Sequence, residues 1–317
     1  MDTGIQLAYL LSAILFVVGL KRLQSPATAR KGNGLVALAM LLAIITTVLD
    51  TQILDWTWIL VGVALGGLIG GVAARFVKMT AMPQLVGIFN AFGGGASALV
   101  AIAEFLATPA IGANTTGVTI LLGTLIGSVT FSGSFIAFAK LQGLTTGNPI
   151  TFPGQNGINA LLFLAVILLG AMTLGVLGGQ NPLTLFYVFC GLALMMGVLL
   201  VIPIGGADMP VVISLLNSYS GLAASAAGFV IGNTVLIISG ALVGASGLIL
   251  TQLMCKGMNR SLANVVFGGF GGSVGVDQSE IGQRPVRRSD AEGVAAEIGY
   301  VNSVVIVPGY GLAVAQA

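Results

Sequence analysis

Residues 183–203 read LTLFYVFCGLALMMGVLLVIP, an uninterrupted apolar stretch without a charged side chain. A helix needs about 20 apolar residues to cross the hydrocarbon core of a bilayer. This stretch therefore predicts a membrane-spanning helix, and the same pattern recurs along the chain. It predicts nine spans, at 4–20, 34–54, 57–77, 83–106, 117–139, 158–178, 183–203, 209–230 and 233–254.

The amino-acid composition also favours a membrane protein. Of the 317 residues, 56% are hydrophobic and 7% are charged, which is too little charge to cover a soluble domain. The net charge of +2 gives no reason to expect a nucleic-acid partner. The absence of histidine excludes histidine-based metal sites and the usual proton-relay side chain. We predict an all-α polytopic membrane protein with about nine transmembrane helices.

The basic residues fall on one side of the membrane if nine spans alternate in direction. Lys and Arg concentrate on the cytoplasmic side of membrane proteins, so we expect the N-terminus outside and the C-terminus inside. The outer loops contain no Lys or Arg. The inner side holds Lys21, Arg22, Arg30, Lys31, Arg75, Lys78, Lys140, Lys256 and Arg260.

The chain changes character after Arg260. The glycine-rich run at 268–275, with charged residues behind it, predicts a flexible polar linker in the cytoplasm. We therefore divide the chain into a transmembrane helical bundle (1–260), a cytoplasmic linker (261–288) and a further segment (289–317).

The segment 289–317 has the pattern of one βα unit. Ser289-Asp-Ala-Glu292 is a capping box that predicts a short helix toward Ile298. Residues 301–307, Val-Asn-Ser-Val-Val-Ile-Val, are rich in β-branched side chains and predict a strand.

The final residues contain a glycine motif. Gly309-Tyr-Gly311-Leu-Ala-Val314 matches G-x-G-x-x-(small) between a predicted strand and a predicted helix, where glycines let a pyrophosphate approach the backbone. The alternative is an ordinary glycine-containing turn. We interpret the segment as the first βα unit of a Rossmann-like domain, too short to close a core alone.

Polar and small residues form stripes at helical spacing inside the spans. Such stripes turn inward, because lipid satisfies no hydrogen bonds, and they either line a hydrated proton path or pack closely. We favour the packing role for the Ser, Thr and Gly positions, which include the doubled GxxxG of Gly62, Gly66 and Gly70. For Asn90 and Asn217 we favour a role in the proton path. The stripes are Asn90, Gly94, Ser97, Ala101 and Glu104; Thr124, Ser128 and Ser132; and Ser214, Asn217 or Ser218, Gly221, Ser225 and Gly228.

Two carboxylates lie at the ends of these stripes. Asp208 precedes the eighth span on its inner side, with Pro210 just inside the helix. It can be the N-cap acceptor of that helix, and it can bind or relay a proton at the inner mouth of the stripe. Glu104 lies near the outer surface, either as a solvated side chain or as part of an outer mouth.

Three longer motifs together resemble one protein family. They are IGGADMPVVISLLNSYSG at 204–221, MCKGMNRS at 254–261 and VPGYGLAVAQA at 307–317. With these motifs, essentially the whole chain closely resembles the beta subunit of proton-translocating NAD(P) transhydrogenase. The alternatives are a secondary transporter of a small solute or ion, and a structural membrane anchor.

The resemblance implies an enzyme that needs a partner subunit. Hydride would pass from NADH on the alpha subunit to NADP+ in the C-terminal domain of the beta subunit, coupled to inward proton movement. It implies a multi-pass protein of the bacterial inner membrane, surrounded by lipid, in a complex that forms a homodimer. The NADP-binding domain would begin at residue 289 and be incomplete within this sequence. No catalytic residue would lie in the chain.

The resemblance also implies roles for individual residues. Asp208 and Asn217 would belong to the proton path or its gate, and Lys256 and Arg260 would face the NADP-binding domain. Further candidates for the path are Asn90, Ser132, Ser218 and Glu104. The cofactor-binding candidates are Gly309, Tyr310, Gly311, Ala313 and Val314.

One position departs from the family. Many relatives carry a histidine, thought to be the proton carrier, where this chain has Asn90. An asparagine does not titrate, so it can only orient water or a hydrogen-bonded chain. The titratable group in the middle of the membrane would then come from another subunit.

The predicted orientation can be tested by labelling single cysteines in sealed membranes. We expect a cysteine at Gln52 to react with an impermeant reagent from outside, and one at Gln24 to react only from inside, because the basic residues fix the cytoplasmic side. The reverse labelling pattern would refute this orientation.

Overall fold

The computed structural model describes residues 3–49, 56–109, 111–178, 181–259, 261–262 and 291–305. Within these residues, nine helices are long and apolar enough to cross a membrane, which confirms the predicted number of spans. The chain is therefore a multi-pass membrane protein. The nine helices are α1 (Thr3–Leu23), α2 (Pro26–Leu49), α3 (Trp56–Phe76), α4 (Met82–Ala107), α5 (Thr115–Leu141), α6 (Gln155–Thr173), α7 (Pro182–Val201), α8 (Met209–Ile231) and α9 (Thr234–Gly257).

The helix ends differ from the apolar stretches where local residues decide them. α2 begins at Pro26 rather than at residue 34, because proline suits the first turn and the polar residues after it still form helix. α6 runs from Gln155 to Thr173 rather than over 158–178. Gly154 (φ 79°) and Gly175 (φ 75°) flank it in the left-handed conformation, which does not continue a helix.

Helices α5 and α8 form the centre of the bundle. α5 packs against α4, α7 and α8, while α8 also packs against α4 and α9. α6 packs on α7, and α1 packs on α2 and α9. The two central helices are the most buried spans, whereas the outer helices expose many large apolar side chains. Such exposed apolar faces suit a hydrocarbon surrounding.

Glycines allow neighbouring helices to touch through their backbones. A Cβ atom added to Gly221 of α8 would lie 2.5 Å from the backbone nitrogen of Gly244 of α9. A Cβ added to Gly127 of α5 would lie 2.7 Å from the carbonyl oxygen of Gly94 of α4. Small residues at these crossings bring the helices close enough for hydrogen bonds between them.

The glycines of α3 have no such contact within the described chain. None of the residues of α3 is buried, and nothing lies within 4 Å of a Cβ added to Gly62, Gly66 or Gly70. The tight helix contact predicted from the doubled GxxxG pattern is therefore not formed by the described residues.

The structure divides the chain into two compact units, Met1–Gly272 and Ser273–Ala317. In the second unit, helix α10 (Ala291–Ile298) confirms the short helix predicted there. Residues 301–305 form no strand. The capping residue Ser289 and the glycine motif that begins at Gly309 lie outside the described residues.

We expect Gly221→Ala to lower the thermal unfolding midpoint of the purified protein. The added methyl group would press on backbone atoms of α9, and overpacking of this kind costs about 1–3 kcal/mol. Gly191→Ala in α7 is the matched control, because a Cβ there meets nothing within 4 Å and alanine favours a helix. Equal midpoints for the two variants would contradict the close α8–α9 contact.

Candidate functional site

The buried carboxamide of Asn90 joins three helices. Asn90 lies on α4 and is 8% exposed. Its Nδ2 donates to the hydroxyl of Ser134 on α5 over 2.8 Å, and its Oδ1 accepts from the hydroxyl of Ser220 on α8 over 2.8 Å. Both ends of the amide are therefore satisfied by neighbouring helices. We call Asn90, Ser134 and Ser220 the amide bridge.

The amide bridge lies well inside the spans. Asn90 and Ser134 are each about two turns from the nearer end of their helix, which is roughly 10–12 Å along the helix axis. Ser220 lies about three turns into α8. At such a depth in a bilayer, a polar group must find its partner within protein or trapped water.

Four of the five residues of the predicted stripe on α4 form a buried face, and the fifth, Glu104, is partly exposed. The partners of this face were not predicted. Asn90, Gly94, Ser97 and Ala101 are all buried. Ser134 lies on a different side of α5 from the predicted Ser132, and Ser220 is one of several small polar residues in α8. The sequence indicates these partners only through the high serine content of α5 and α8. To identify the correct serines, one must know which helices are adjacent. The sequence alone does not show this.

Asn217 lies outside the amide bridge. On α8, Ser220 contacts α4 and Gly221 contacts α9. Asn217 precedes these residues by three and four positions and so lies on the same side of the helix. It is exposed there, facing outward between α4 and α9. The structure therefore does not bring Asn217 to Asn90.

Ser132 and Ser218 lie at other helix contacts. The hydroxyl of Ser132 donates to the carbonyl oxygen of Leu194 on α7 over 2.7 Å. The hydroxyl of Ser218 donates to the carbonyl oxygen of Gly244 on α9. Both hydroxyls fasten pairs of helices, which is the packing role expected for most serines of the stripes.

Asp208 directly precedes α8, as predicted, but its carboxylate does not cap the helix. It ends a single 3-10 turn (Gly206–Asp208), and Pro210 lies in the first turn of α8. The side chain makes no capping hydrogen bond, because the backbone of Asp208 is near-helical (φ −91°, ψ −4°) rather than extended. Asp208 is partly exposed at this end of α8.

The other predicted residues lie at helix ends or outside the described residues. Glu104 is partly exposed in the last turn of α4, and Lys256 is exposed in the last turn of α9. Outside the described residues are Arg260, Gly309, Tyr310, Gly311, Ala313 and Val314.

A helical membrane bundle with a buried hydrogen-bonded amide at its centre and carboxylates at the ends of the same helices has the features of a proton-conducting membrane subunit. Comparison with known proteins identifies the family. The sequence profile of the NAD(P) transhydrogenase beta subunit matches residues 5–317.

Two curated relatives agree with this match. The chain is 47% identical over 319 residues to the NAD(P) transhydrogenase subunit beta of Rhodospirillum rubrum, covering 98% of this chain and 68% of that protein. A sequence of the same name from a designated strain of Rhodospirillum rubrum gives the same values. The chain belongs to the NAD(P) transhydrogenase beta subunit family. Its function is that of the proton-translocating subunit, not that of a solute transporter or a structural anchor.

We expect Asn90→Leu to lower proton-coupled turnover of the complete enzyme by roughly tenfold or more per assembled complex. The substitution leaves the hydroxyls of Ser134 and Ser220 without their partner, and an unpaired buried group costs about 1–3 kcal/mol. Asn90→His should be tolerated, because the ring can both donate and accept.

The matched control is Ser97→Ala on the same face of α4. The hydroxyl of Ser97 donates to the carbonyl oxygen of Gly93 within its own helix, so its loss should leave coupling intact. Proton uptake into vesicles, normalised to assembled enzyme, measures the effect. Equal uptake by Asn90→Leu and Ser97→Ala would exclude a proton route past Asn90.

Proposed function

We propose that protons cross this subunit along the contact of α4, α5 and α8, past the amide bridge. The observation that carries this proposal is the buried amide of Asn90 with both ends hydrogen bonded. A carboxamide donates and accepts at the same time, so it can continue a hydrogen-bonded chain between two hydroxyls. Small residues on α4 and α5, such as Gly94 and Gly127, let the two helices approach closely enough for the amide to reach Ser134.

In this proposal Asn90 orients the proton route but does not carry the proton. Neither an amide nor a serine hydroxyl titrates at neutral pH. The titratable group must therefore lie outside the amide bridge.

The position of Asn217 indicates where another subunit would supply the titratable group. It presents a carboxamide on the exposed side of a membrane span, where lipid offers no hydrogen bond. An unpaired amide at such a site costs about 1–3 kcal/mol. We propose that a transmembrane helix of the alpha subunit covers Asn217 between α4 and α9 and supplies the titratable side chain.

Two carboxylates mark the mouths of the proposed route. Asp208 lies at the start of α8, and Glu104 lies at the far end of α4. Because the chain enters both helices from the same side, these residues lie at opposite ends of the bundle. We propose that Asp208 exchanges protons at the inner mouth and that Glu104 contributes to the outer mouth.

The basic residues support an N-terminus outside and a C-terminus in the cytoplasm. In the described bundle they lie at the C-terminal ends of odd-numbered helices, at the N-terminal end of α2, or in the connection before α4. Alternating spans bring all these positions to one face, which the positive-inside rule makes cytoplasmic. These residues are Lys21, Arg22, Arg30, Lys31, Arg75, Lys78, Lys140 and Lys256.

The hydride-transfer chemistry belongs to the complete complex. We propose that the bundle (1–260) is joined by the linker (261–288) to the start of a Rossmann-like NADP-binding domain (289–317), and that NAD is held by the alpha subunit. Lys256 and Arg260 would transmit changes between the bundle and the NADP-binding domain. The glycines of the Gly309–Val314 motif would approach the NADP pyrophosphate.

The proposed complex is active only with the alpha subunit and a complete NADP-binding domain. It lies in a bacterial inner membrane, where the exposed apolar faces of the outer helices contact lipid. Two such complexes form a homodimer.

We expect Asp208→Asn to reduce proton-coupled turnover by about 100-fold or more while the complex still assembles. Asparagine keeps the size of the side chain and one acceptor oxygen but removes its proton exchange, and general acid–base groups contribute typically 10²–10⁴-fold. Since the carboxylate of Asp208 does not cap α8, the substitution removes no capping hydrogen bond from the helix start.

Proton uptake by sealed vesicles during NADPH–NAD exchange gives the measurement. Glu292→Gln in α10 is the control, because it removes an exposed carboxylate outside the spans. Coupled rates for Asp208→Asn that equal those of Glu292→Gln would remove Asp208 from the proton route.

A further inference from the structure

Lys140 is buried although it lies at a helix end. It belongs to the last turn of α5 and is 5% exposed. Its Nζ donates to the carbonyl oxygen of Ile202 over 2.6 Å and to that of Ile204 over 2.8 Å. A third contact, to the carbonyl oxygen of Asn148, is 3.4 Å long. From the sequence, Lys140 indicates only which side of the membrane is cytoplasmic. The structure shows that it is a buried ammonium with three acceptors.

This arrangement differs from the usual behaviour of a lysine near a membrane surface. Such a side chain normally extends its ammonium into water. Burying a charge is costly unless hydrogen bonds and opposite partial charges replace the water. Carbonyl groups after the last turn of a helix carry partial negative charge and lack helical partners. The carbonyls that follow α7 therefore suit an ammonium, and Lys140 of α5 supplies it.

The two closer acceptors of Lys140, the carbonyls of Ile202 and Ile204, belong to the segment that leads into α8. Residues 202–208 connect α7 to α8 and end at Asp208. Two backbone hydrogen bonds hold the same segment to the α5–α6 loop, from Gly206 N to Gly147 O (2.7 Å) and from Ile150 N to Ile202 O (3.3 Å). We call residues 202–208 the Asp208 segment.

The Asp208 segment fixes the start of α8 in the core. Met209, the first residue of α8, is fully buried. It packs in one cluster with Ile204, Val212 and Cys255. A displacement of the Asp208 segment would therefore move both the carboxylate and the first turn of α8.

We propose that Lys140 is a positioning residue for Asp208: its ammonium binds the carbonyls of Ile202 and Ile204 and holds the Asp208 segment at the inner mouth of the proton route. The proposal rests on the proton-exchange role proposed above for Asp208. Lys140 itself exchanges no proton in this account, since its hydrogens are directed to backbone carbonyls. Its N–H donors matter because an apolar side chain of the same length satisfies none of these acceptors.

A double-mutant cycle with Asp208→Asn tests this relation in the complete enzyme with its alpha subunit. We expect Lys140→Met to lower proton-coupled turnover about tenfold, as loss of buried hydrogen bonds predicts. If Lys140 acts through Asp208, adding Lys140→Met to Asp208→Asn should change the rate by less than about twofold, because coupled sites are not additive. Lys140→Arg, which keeps the charge and donors, should retain several-fold more activity than Lys140→Met.

A second readout follows the Asp208 segment directly. With Cys190 replaced by alanine, Cys255 is the remaining cysteine of residues 1–317, and it is 2% exposed beside Met209. We expect Lys140→Met to raise the rate of maleimide labelling of Cys255 several-fold. Lys78→Met is the matched control, because Lys78 is an exposed cation of the same predicted face and should change neither readout. Lys140→Gln, measured in parallel, keeps the test valid if the methionine variant does not assemble.

The outcomes separate the two proposals. A normal coupled rate for Asp208→Asn refutes the role of Asp208 and, with it, the positioning of Asp208 by Lys140. A reduced rate for Asp208→Asn combined with losses that multiply in the double variant refutes the positioning role alone. An unchanged rate in Lys140→Met, or unchanged labelling of Cys255, also overturns the proposal for Lys140.

Discussion

Hydrocarbon offers no hydrogen bonds, so the carboxamide of Asn90 is stable within the bundle only while Ser134 and Ser220 satisfy its two ends. That requirement brings α4, α5 and α8 to hydrogen-bonding distance at one level. The approach is possible because the helices cross at small residues, as at Gly94 and Gly127. The polar centre and the glycine contacts therefore depend on each other. A larger side chain at a crossing would separate the groups that the amide needs.

The centre of the bundle and its ends differ in whether their polar groups are charged. The amide bridge is polar but carries no charge, which avoids the several kcal/mol that a charged side chain costs near the middle of a bilayer. At the end where α5 finishes and α8 begins, two of the charged groups are Lys140 and Asp208. Lys140 is buried against backbone carbonyls and Asp208 is partly exposed. The first suits a fixed structural charge, and the second suits exchange with water.

The sequence predicts the positions of the helices far better than it predicts which helices pack against each other. Apolar length and the placement of Lys and Arg give nine spans, because both follow directly from the thickness and chemistry of a bilayer. The inward face of α4 follows from helical periodicity. Periodicity cannot show that the hydrogen-bond partners of Asn90 are Ser134 and Ser220 and not Asn217, since the partners depend on which helices are adjacent. Helix ends set by glycine conformation, as at Gly175, also depart from hydropathy. The burial of Lys140 is missed for a related reason, because its acceptors lie in the α5–α6 loop and in the connection between α7 and α8.

The most direct test of the route past the amide bridge replaces both partners of Asn90 and leaves Asn90 in place. Ser134→Ala and Ser220→Ala together remove the two hydroxyls without adding volume or charge. The measurement is proton uptake per assembled complex, in sealed vesicles that carry the complete enzyme. If protons pass this point, proton uptake per assembled complex should fall by roughly tenfold, as expected for a buried amide left unpaired at both ends. Uptake equal to that of the parent enzyme would contradict a route along α4, α5 and α8.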